Sequence, residues 1–303
     1  MRVLIIGLGS IAQKHIEALN KISNTIEIFA LRREDSSHYT HQGVIDIYEL
    51  KDNLKFDFII ISNPTSEHGN TIKSLKNLNV PLFIEKPVFN TSGYDDVVND
   101  VLSRNIQTYV ACNLRFFDSL IFLKSVIGEK NVNEVNVYCG SYLPDWRPEV
   151  DFRTVYSANK ELGGGVHIDL IHEIDYLIYL FKFPNKIRKT FKSNSSLNIS
   201  AYDYANYLFE YDNFCANVIL NYFRRTPKRT LEVVCSDGEY EVNLLNNTVK
   251  WNGEIIYSSS QRIKDTYLPQ MQYFINNLLL EESIDKFNDI DEAYKILKIC
   301  LED

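Results

Sequence analysis

The chain has 303 residues, a length that suits two domains better than one core. Its net charge of −8 argues against nucleic acid or an anionic membrane as a partner, because like charges repel. Its five scattered cysteines contain no Cys-x-x-Cys pair, which argues against a zinc site. We therefore expect a cytoplasmic protein with free thiols and no metal, nucleic-acid or membrane partner.

The N-terminus predicts a buried strand, a glycine turn and a helix. After the apolar residues 3–6, Gly7, Gly9 and Ala12 follow the spacing G-x-G-x-x-A. Gly7 permits a tight turn, Gly9 lets the backbone approach a pyrophosphate, and Ala12 keeps the helix close to the strand. The helix N-terminus supplies amide donors to the phosphates. The predicted dinucleotide contacts at this turn are Gly7, Gly9, Ser10, Ile11 and Ala12.

The first third of the chain alternates short apolar strands with helical stretches. The predicted strands are Val3–Ile6, Ile26–Leu31, Phe58–Ile61, Leu82–Ile84 and Thr108–Ala111. The predicted helices are Ile11–Lys21, Ser66–Asn77 and Gly93–Arg104. Because near-continuous apolar strands are buried on both faces, this pattern predicts an α/β Rossmann domain with a parallel, doubly wound sheet over residues 1–118.

Residues 119–303 are predicted to form an α+β domain with a large, mostly antiparallel open sheet. Alternating residues predict strands at Glu134–Tyr142, Tyr202–Tyr211, Cys215–Phe223, Thr230–Cys235, Glu239–Leu244 and Thr248–Trp251. The predicted helices are Ser119–Ile127, a long helix after Gly163–Gly165, Tyr267–Leu280 and Asp291–Leu301.

The end of the second predicted strand bears on the choice of dinucleotide. A carboxylate there binds the ribose of NAD, whereas an arginine suits the phosphate of NADP. Arg32 and Arg33 end the strand, and Glu34 and Asp35 follow them. We expect NADP ahead of NAD, with Glu34 or Asp35 on the ribose as the alternative.

Three further motifs lie after strands or open a helix. They are Ser62-Asn-Pro-Thr-Ser-Glu-His68, Glu85-Lys86-Pro87 and the glycine-led segment from Glu161 to Asp175. With the glycine turn, they resemble the Gfo/Idh/MocA family of nicotinamide-dependent sugar and polyol oxidoreductases. The resemblance covers essentially the whole chain.

The resemblance implies a substrate held between the nicotinamide and the open sheet of the second domain, and a homodimer or homotetramer. It also implies that Lys86, Asp169 and His172 are the catalytic residues. The remaining candidate cofactor contacts are Asn63, Pro64, His68, Glu85, Lys86 and Arg115. His68 could instead begin a helix, Glu85 could be structural, and Arg115 could form a salt bridge between the domains.

These residue types suit hydride transfer at a hydroxyl-bearing carbon. The reaction needs a group that moves the hydroxyl proton and a donor that polarises the oxygen. A histidine exchanges protons near neutral pH, and a carboxylate can fix its tautomer. A partly desolvated lysine can donate to the oxygen.

The glycine-led helix departs from the family pattern. Asp169 and His172 are three residues apart instead of four, and Glu173 occupies the fourth position. On a continuous helix, Asp169 and His172 lie about 60° apart on one face. That face carries Tyr176 and Tyr179, and the core stripe carries Ile171, Ile174, Ile178 and Phe181. In the alternatives, His172 pairs with Asp175 on the surface and Asp169 only compensates the helix dipole.

The irregular segment 142–156 contains the candidate substrate contacts Trp146, Arg147 and Tyr156. Aromatic faces suit a sugar ring, and arginine suits an anionic group. Alternatively, the segment is a folded loop whose arginines pair with Asp145, Glu149 and Asp151.

The leading hypothesis is an NAD(P)-dependent oxidoreductase acting on a sugar, sugar derivative or polyol. A non-catalytic dinucleotide-binding regulator is one alternative, and the altered Asp169–His172 spacing is the only feature that favours it. A second alternative is an epimerase, lyase or hydrolase that keeps its cofactor bound and works through a transient keto sugar.

Overall fold

The computed structural model describes residues 1–32, 41–51, 54–279 and 288–301. The chain forms two compact units. The first comprises Met1–Asn113 and Lys264–Leu297, and the second comprises Leu114–Ile263 and Lys298–Asp303. Within the described ranges, no helix is long and apolar enough to cross a membrane.

The strands are β1 (Arg2–Ile6), β2 (Glu27–Leu31), β3 (Val44–Ile47), β4 (Phe58–Ile61), β5 (Leu82–Ile84), β6 (Thr108–Val110), β7 (Val132–Tyr142), β8 (Lys186–Lys192), β9 (Tyr204–Glu210), β10 (Cys215–Asn221), β11 (Phe223–Cys235), β12 (Gly238–Asn243), β13 (Thr248–Trp251) and β14 (Glu254–Ser258). The helices are α1 (Ser10–Ile22), α2 (His68–Leu75), α3 (Asp95–Ser103), α4 (Asp118–Ile127), α5 (Val166–Asp169), α6 (Ile171–Phe181), α7 (Tyr267–Tyr273) and α8 (Ile290–Cys300). A π-helical turn over Phe274–Leu279 continues α7.

The first unit contains a six-stranded parallel sheet in the order β3-β2-β1-β4-β5-β6. Its central strands are apolar throughout, and Leu4, Ile60 and Phe83 have no exposed surface. Burial on both faces explains why these strands show no polar alternation. The predicted Rossmann domain is confirmed.

The second unit contains an eight-stranded sheet in the order β14-β13-β12-β11-β7-β10-β9-β8. Among the described strands, β7 and β10 pair in parallel and the other neighbours are antiparallel. The predicted α+β domain with a mostly antiparallel open sheet is confirmed.

The C-terminal helices group differently from the predicted boundary at residue 118. Residues 264–297 belong to the first unit, whereas the prediction assigned them to the second domain. Phe274 is fully buried, and its ring lies 5.0 Å from that of Phe58 and 5.3 Å from that of Phe83. This returning segment covers the parallel sheet with aromatic side chains, a contact between distant parts of the chain that local sequence patterns do not reveal.

The helix predicted after Gly163–Gly165 is interrupted. Asp169 ends α5, Leu170 leaves the helical conformation with φ −98° and ψ 31°, and α6 starts at Ile171. The 60° separation expected for Asp169 and His172 therefore does not apply, because it assumes one continuous helix. Tyr176, which the sequence places on the same face as Asp169 and His172, is fully buried.

Candidate active site

The turn between β1 and α1 fits a dinucleotide phosphate. Gly7 has φ +92°, and a Cβ atom there would lie 2.4 Å from the Asn63 Cα, so only glycine fits. A Cβ on Gly9 would meet nothing within 4 Å, which leaves open space before α1. The first turn of α1 has no acidic residue and no side-chain cap. Its amides therefore remain suited to an anion.

The other residues predicted at the turn occupy the start of α1. Ser10 is its first residue and is exposed, while Ile11 is half-buried. Ala12 has no exposed surface. A small buried side chain at this position lets the helix pack closely against the sheet, as the sequence predicted.

The loop after β4 packs against the glycine turn. Ser62 Oγ lies 2.8 Å from the Gly7 carbonyl oxygen and donates to it. Asn63 Nδ2 donates to Thr71 Oγ1 at 2.8 Å. The buried Oδ1 atom of Asn63 accepts no hydrogen bond from the described residues. An orphaned acceptor beside the turn fits a donor of the cofactor, such as a ribose hydroxyl.

His68 connects the loop after β4 to the segment after β5 in the first unit. It is the first residue of α2 and follows Pro64 and a short 3₁₀ turn. Its Nδ1 and Nε2 atoms each lie 3.1 Å from a carbonyl oxygen, of Val88 and Asn63 respectively. Burial lowers the pKa of His68, so the neutral ring donates to one carbonyl at a time. This geometry favours a structural role over the predicted cofactor contact.

Lys86 lies just beyond the carboxyl end of β5, a strand inside the parallel sheet, and is half-buried. The preceding residue, Glu85, is buried, and its Oε1 atom lies 2.5 Å from His15 Nε2. The other oxygen of Glu85 accepts the backbone N–H of Lys86 at 3.2 Å. Glu85 thus has structural partners on both oxygens.

Arg32 lies beside a carboxylate at the end of β2. Its Nη1 atom is 3.5 Å from Asp46 Oδ1, and Asp46 belongs to β3. Arg33, the second arginine predicted to contact the cofactor, lies outside the described residues. Glu34 and Asp35, the alternative contacts for the ribose of NAD, also lie outside the described residues.

In the second unit, the glycine-led segment packs against Tyr156. A Cβ atom on Gly164 would lie 1.9 Å from the Tyr156 carbonyl oxygen, so no other residue fits. The Tyr156 hydroxyl donates to the Gly163 carbonyl oxygen at 2.7 Å. This contact fixes the entry to α5 and hence the position of Asp169 at its end.

Asp169 accepts a short hydrogen bond from Tyr222. The Tyr222 hydroxyl lies 2.5 Å from Asp169 Oδ2, and Tyr222 has no exposed surface. Burial and the Asp169 carboxylate both raise the pKa of Tyr222, which therefore stays protonated as the donor. The ring of Trp146 meets that of Tyr222 edge-on at 5.3 Å. Tyr222 is not predictable as a site residue from the sequence, because nothing local distinguishes it from the other tyrosines in alternating strands.

The predicted substrate contacts differ in their surroundings. Trp146 is 41% exposed, and its indole N–H donates to Ser141 Oγ at 2.8 Å. Tyr156 is 39% exposed, and burial together with Asp169 raises its pKa to about 12. Arg147 is exposed and, within the described chain, forms no ion pair. The alternative of an arginine–carboxylate loop holds for Arg153, which lies 3.6 Å from Asp151.

Arg115 forms a buried ion pair with Asp175. Its Nε and Nη2 atoms donate to the two carboxylate oxygens at 2.9 and 2.7 Å, and neither side chain is exposed. Both residues lie in the second unit. This geometry argues against the predicted cofactor contact of Arg115 and against a bridge between domains. It also removes the alternative of a surface pair between Asp175 and His172, which is half-buried near the start of α6.

Glu173 anchors α6 to the sheet. Its side chain has no exposed surface, and its Oε1 atom accepts from Arg229 Nε at 2.6 Å. Glu173 occupies the position of the family's histidine when residues are counted from Asp169. Its buried pairing with β11 gives Glu173 a structural role, and the neighbouring His172 stays the proposed catalytic histidine.

Two family models match the chain. The model described as "Oxidoreductase family, NAD-binding Rossmann fold" matches residues 1–110. The model described as "GFO/IDH/MocA C-terminal domain" matches residues 122–241. A search of curated proteins finds no match.

Solved structures share the fold over nearly the whole chain. UDP-N-acetylglucosamine 3-dehydrogenase GnnA from Acidithiobacillus ferrooxidans is 18% identical with a TM-score of 0.77, and the match covers 100% of this chain and 96% of that one. Myo-inositol 2-dehydrogenase from Lactobacillus plantarum is 20% identical with a TM-score of 0.76, covering 99% and 95%. The WlbA dehydrogenase from Bordetella pertussis, solved with NADH and UDP-GlcNAcA, is 14% identical with a TM-score of 0.76, covering 98% and 92%.

The family models span both predicted domains, in the predicted order. The resemblance drawn from the glycine turn, the Glu85-Lys86-Pro87 motif and the glycine-led segment is therefore confirmed. The chain belongs to the Gfo/Idh/MocA family of oxidoreductases and carries that family's NAD-binding Rossmann domain.

Proposed function

We propose that the chain is a dehydrogenase that transfers hydride between a nicotinamide dinucleotide and a hydroxyl-bearing carbon of a sugar, sugar derivative or polyol. The observation that carries this proposal is the Asp169 carboxylate, which Tyr222 holds at 2.5 Å beside the partly exposed Trp146 and Tyr156. Apolar aromatic faces suit the ring of a sugar, and a carboxylate accepts hydrogen bonds from its hydroxyls.

The structural neighbours support the same substrate class. Their names specify an inositol, a UDP-N-acetylglucosamine and, for WlbA, a bound UDP-GlcNAcA. All three molecules carry secondary hydroxyls on a six-membered ring. The fold alone does not choose among them.

The catalytic roles we propose follow from where the hydroxyl proton must go during the reaction. Bound NAD(P) supplies the hydride acceptor during oxidation and the hydride donor during reduction. In oxidation, Lys86 donates a hydrogen bond to the reacting oxygen, and His172 accepts the hydroxyl proton as the carbonyl forms. Asp169 accepts hydrogen bonds from the substrate hydroxyls and so orients the substrate. Reduction reverses these transfers.

The two tyrosines near Asp169 serve as donors in this scheme. Burial and the Asp169 carboxylate raise the pKa of Tyr156 to about 12 and that of Tyr222 well above its ordinary value. Neither hydroxyl loses its proton near neutral pH. The proton that leaves the substrate is therefore assigned to His172 rather than to a tyrosinate.

For the cofactor we propose NADP ahead of NAD, on the strength of Arg32 at the end of β2. The alternative is NAD with Glu34 or Asp35 on its ribose, because a carboxylate after the second strand can bind the ribose hydroxyls. The two dinucleotides compete directly in the binding experiment below.

The feature that favours a non-catalytic regulator, the three-residue spacing from Asp169 to His172, is still present. Because the helix is interrupted at Leu170, this spacing no longer sets the angle between the two side chains. The retention of Lys86, Asp169 and a histidine together argues against a regulator. The mechanism with a permanently bound cofactor uses the same acid–base residues and differs in whether the dinucleotide is consumed.

We also propose a homodimer or homotetramer in a reducing cytoplasm. All five cysteines are free, and four of them are buried. Free, buried thiols are compatible with a compartment in which disulfides do not form.

The test begins with the purified protein. We expect it to bind NADP or NAD, and to change the absorbance of reduced nicotinamide with at least one member of a panel of inositols, hexoses and UDP-sugars. Product formation with a dinucleotide that stays bound and unchanged would favour the bound-cofactor mechanism. Absence of binding at millimolar dinucleotide would contradict the proposal.

A further inference from the structure

Glu85 connects the helix of the glycine turn to the backbone of Lys86. Its own N–H donates to the Ile61 carbonyl oxygen at 2.8 Å, which holds it at the end of the parallel sheet. One carboxylate oxygen lies 2.5 Å from His15 Nε2, and the other accepts the Lys86 N–H at 3.2 Å. The side chain therefore joins α1 to the residue proposed to polarise the reacting oxygen.

His15 is enclosed by aromatic side chains. It has no exposed surface, and its ring lies 4.9 Å from that of Phe83 and 5.7 Å from that of Tyr267. Glu85 is the hydrogen-bond partner of its Nε2, and Nδ1 has no partner among the described residues. With no exposed surface and one hydrogen bond to the described residues, the imidazole has little freedom to take another position.

Burying a polar pair in an apolar core costs desolvation free energy. Replacing such a pair by well-packed hydrophobic residues is often neutral or stabilising, so packing alone does not account for His15 and Glu85. The pair does orient the Glu85 side chain. His15 fixes one carboxylate oxygen, so the second oxygen faces the backbone N–H of Lys86. Catalytic side chains need this support, since a displacement of about 1 Å can cost about 100-fold in rate.

We propose that His15 and Glu85 are positioning residues for Lys86. His15 holds the Glu85 carboxylate, and Glu85 holds the Lys86 backbone, so that the start of the lysine side chain is fixed relative to the helix that binds the dinucleotide. The inference rests on the proposed function for the catalytic role of Lys86. The two hydrogen bonds of Glu85, to His15 and to the Lys86 backbone, are present in the protein without substrate.

Three variants separate positioning from general packing. His15→Leu removes the donor to Glu85, and His15→Gln restores a nitrogen donor at a similar distance from the backbone. Phe274→Leu is the matched control, because it loosens the same aromatic core without touching either polar contact.

The first readout is hydrogen exchange at the single Lys86 amide, measured on the protein alone. We expect exchange about tenfold faster in His15→Leu than in the wild type, and close to the wild-type rate in His15→Gln and Phe274→Leu. An unchanged Lys86 amide in His15→Leu would overturn the proposal. This measurement needs no substrate, so it stands even if no sugar is turned over and the proposed function fails.

The second readout is steady-state kinetics with a substrate found in the sugar panel. In His15→Leu we expect kcat to fall by about 10- to 100-fold, with the Kd of the dinucleotide within about twofold of the wild type. His15→Gln should recover most of kcat, and His15→Leu should add no loss in a Lys86→Met background. A wild-type kcat in His15→Leu, or an equally slow His15→Gln, would contradict the positioning role.

Discussion

The Tyr222 hydroxyl donates to the Asp169 carboxylate over 2.5 Å. Asp169 ends the four-residue helix α5, whereas Tyr222 lies between two strands of the open sheet. This hydrogen bond therefore fixes the carboxylate against the sheet, since a short helix has few contacts of its own. Tyr222 is the functional candidate that the structure adds to the residues expected from the sequence.

Removing this donor should lower both the turnover and the stability of the protein. In Tyr222→Phe we expect kcat to fall by about 10- to 100-fold, because Asp169 loses the contact that orients it. The free energy of unfolding should fall by about 1.5–3 kcal/mol, the range for a hydrogen bond to a charged group. Tyr207→Phe is the control, since Tyr207 is equally buried but its hydroxyl donates to the Cys300 carbonyl oxygen at 3.4 Å. Equal kinetic losses in the two variants would contradict the assignment.

Arg115 should contribute to stability and not to cofactor binding. Arg115→Met leaves the Asp175 carboxylate buried without its partner, which should cost about 3–5 kcal/mol of unfolding free energy. Urea unfolding measures this loss. The Kd of the dinucleotide, measured under conditions in which the variant is folded, should not change. A weaker Kd with unchanged stability would instead support the cofactor contact first expected for Arg115.

Arg32 offers a test of the dinucleotide preference. If Arg32 binds the additional phosphate, Arg32→Ala should weaken NADP by about tenfold or more and leave NAD nearly unchanged, because the charge-assisted contact is lost only for NADP. Asp46→Asn is the companion variant, since it removes the negative charge beside Arg32 while keeping its size. Competition titrations with both dinucleotides give the two Kd values. Equal loss for NAD and NADP in Arg32→Ala would argue against the NADP preference.

His68 should make the protein less stable in mild acid. Burial lowers the pKa of His68 below its ordinary 6.5, an effect that outweighs the opposing influence of Glu85 and of backbone carbonyl groups. The unfolded chain then binds the proton more tightly than the folded one, so the unfolding free energy falls as the pH drops below about 6.5 and is insensitive to this group above it.

The His68→Gln variant lacks this titration. Its unfolding free energy should change less than that of the wild type between about pH 7.5 and about pH 5.5, whatever its absolute stability. Denaturant unfolding at the two pH values provides the comparison. An identical pH dependence in the two proteins would show that His68 does not titrate in this range.

The strands that the sequence failed to predict are all edge strands. β3 has four residues, β8 alternates exposed polar residues with partly exposed residues, and β14 is mostly exposed. Each has a single neighbour in its sheet. An edge strand buries little surface, so it carries a weak hydrophobic pattern. The central strands of the parallel sheet were predictable because burial on both faces demands uninterrupted apolar residues. Those of the second sheet were predictable from the alternation of buried and exposed residues.

The candidate site was predictable where a motif fixes the backbone, as at Gly7 and at Gly164. It was not predictable where the decisive contact joins distant segments. Tyr222 and Asp169 are 53 residues apart, and His15 and Glu85 are 70 residues apart. No periodicity links such pairs, because their contact depends on the folded sheet.

The proposed hydride transfer depends on Lys86 more than on any other side chain. We expect Lys86→Met to bind the dinucleotide with nearly wild-type affinity and to lose at least about 100-fold in kcat, because the donor to the reacting oxygen is gone. The measurement is kcat from reduced-nicotinamide absorbance, with the Kd determined on the same preparation. Wild-type turnover in Lys86→Met would contradict the proposed role of this lysine.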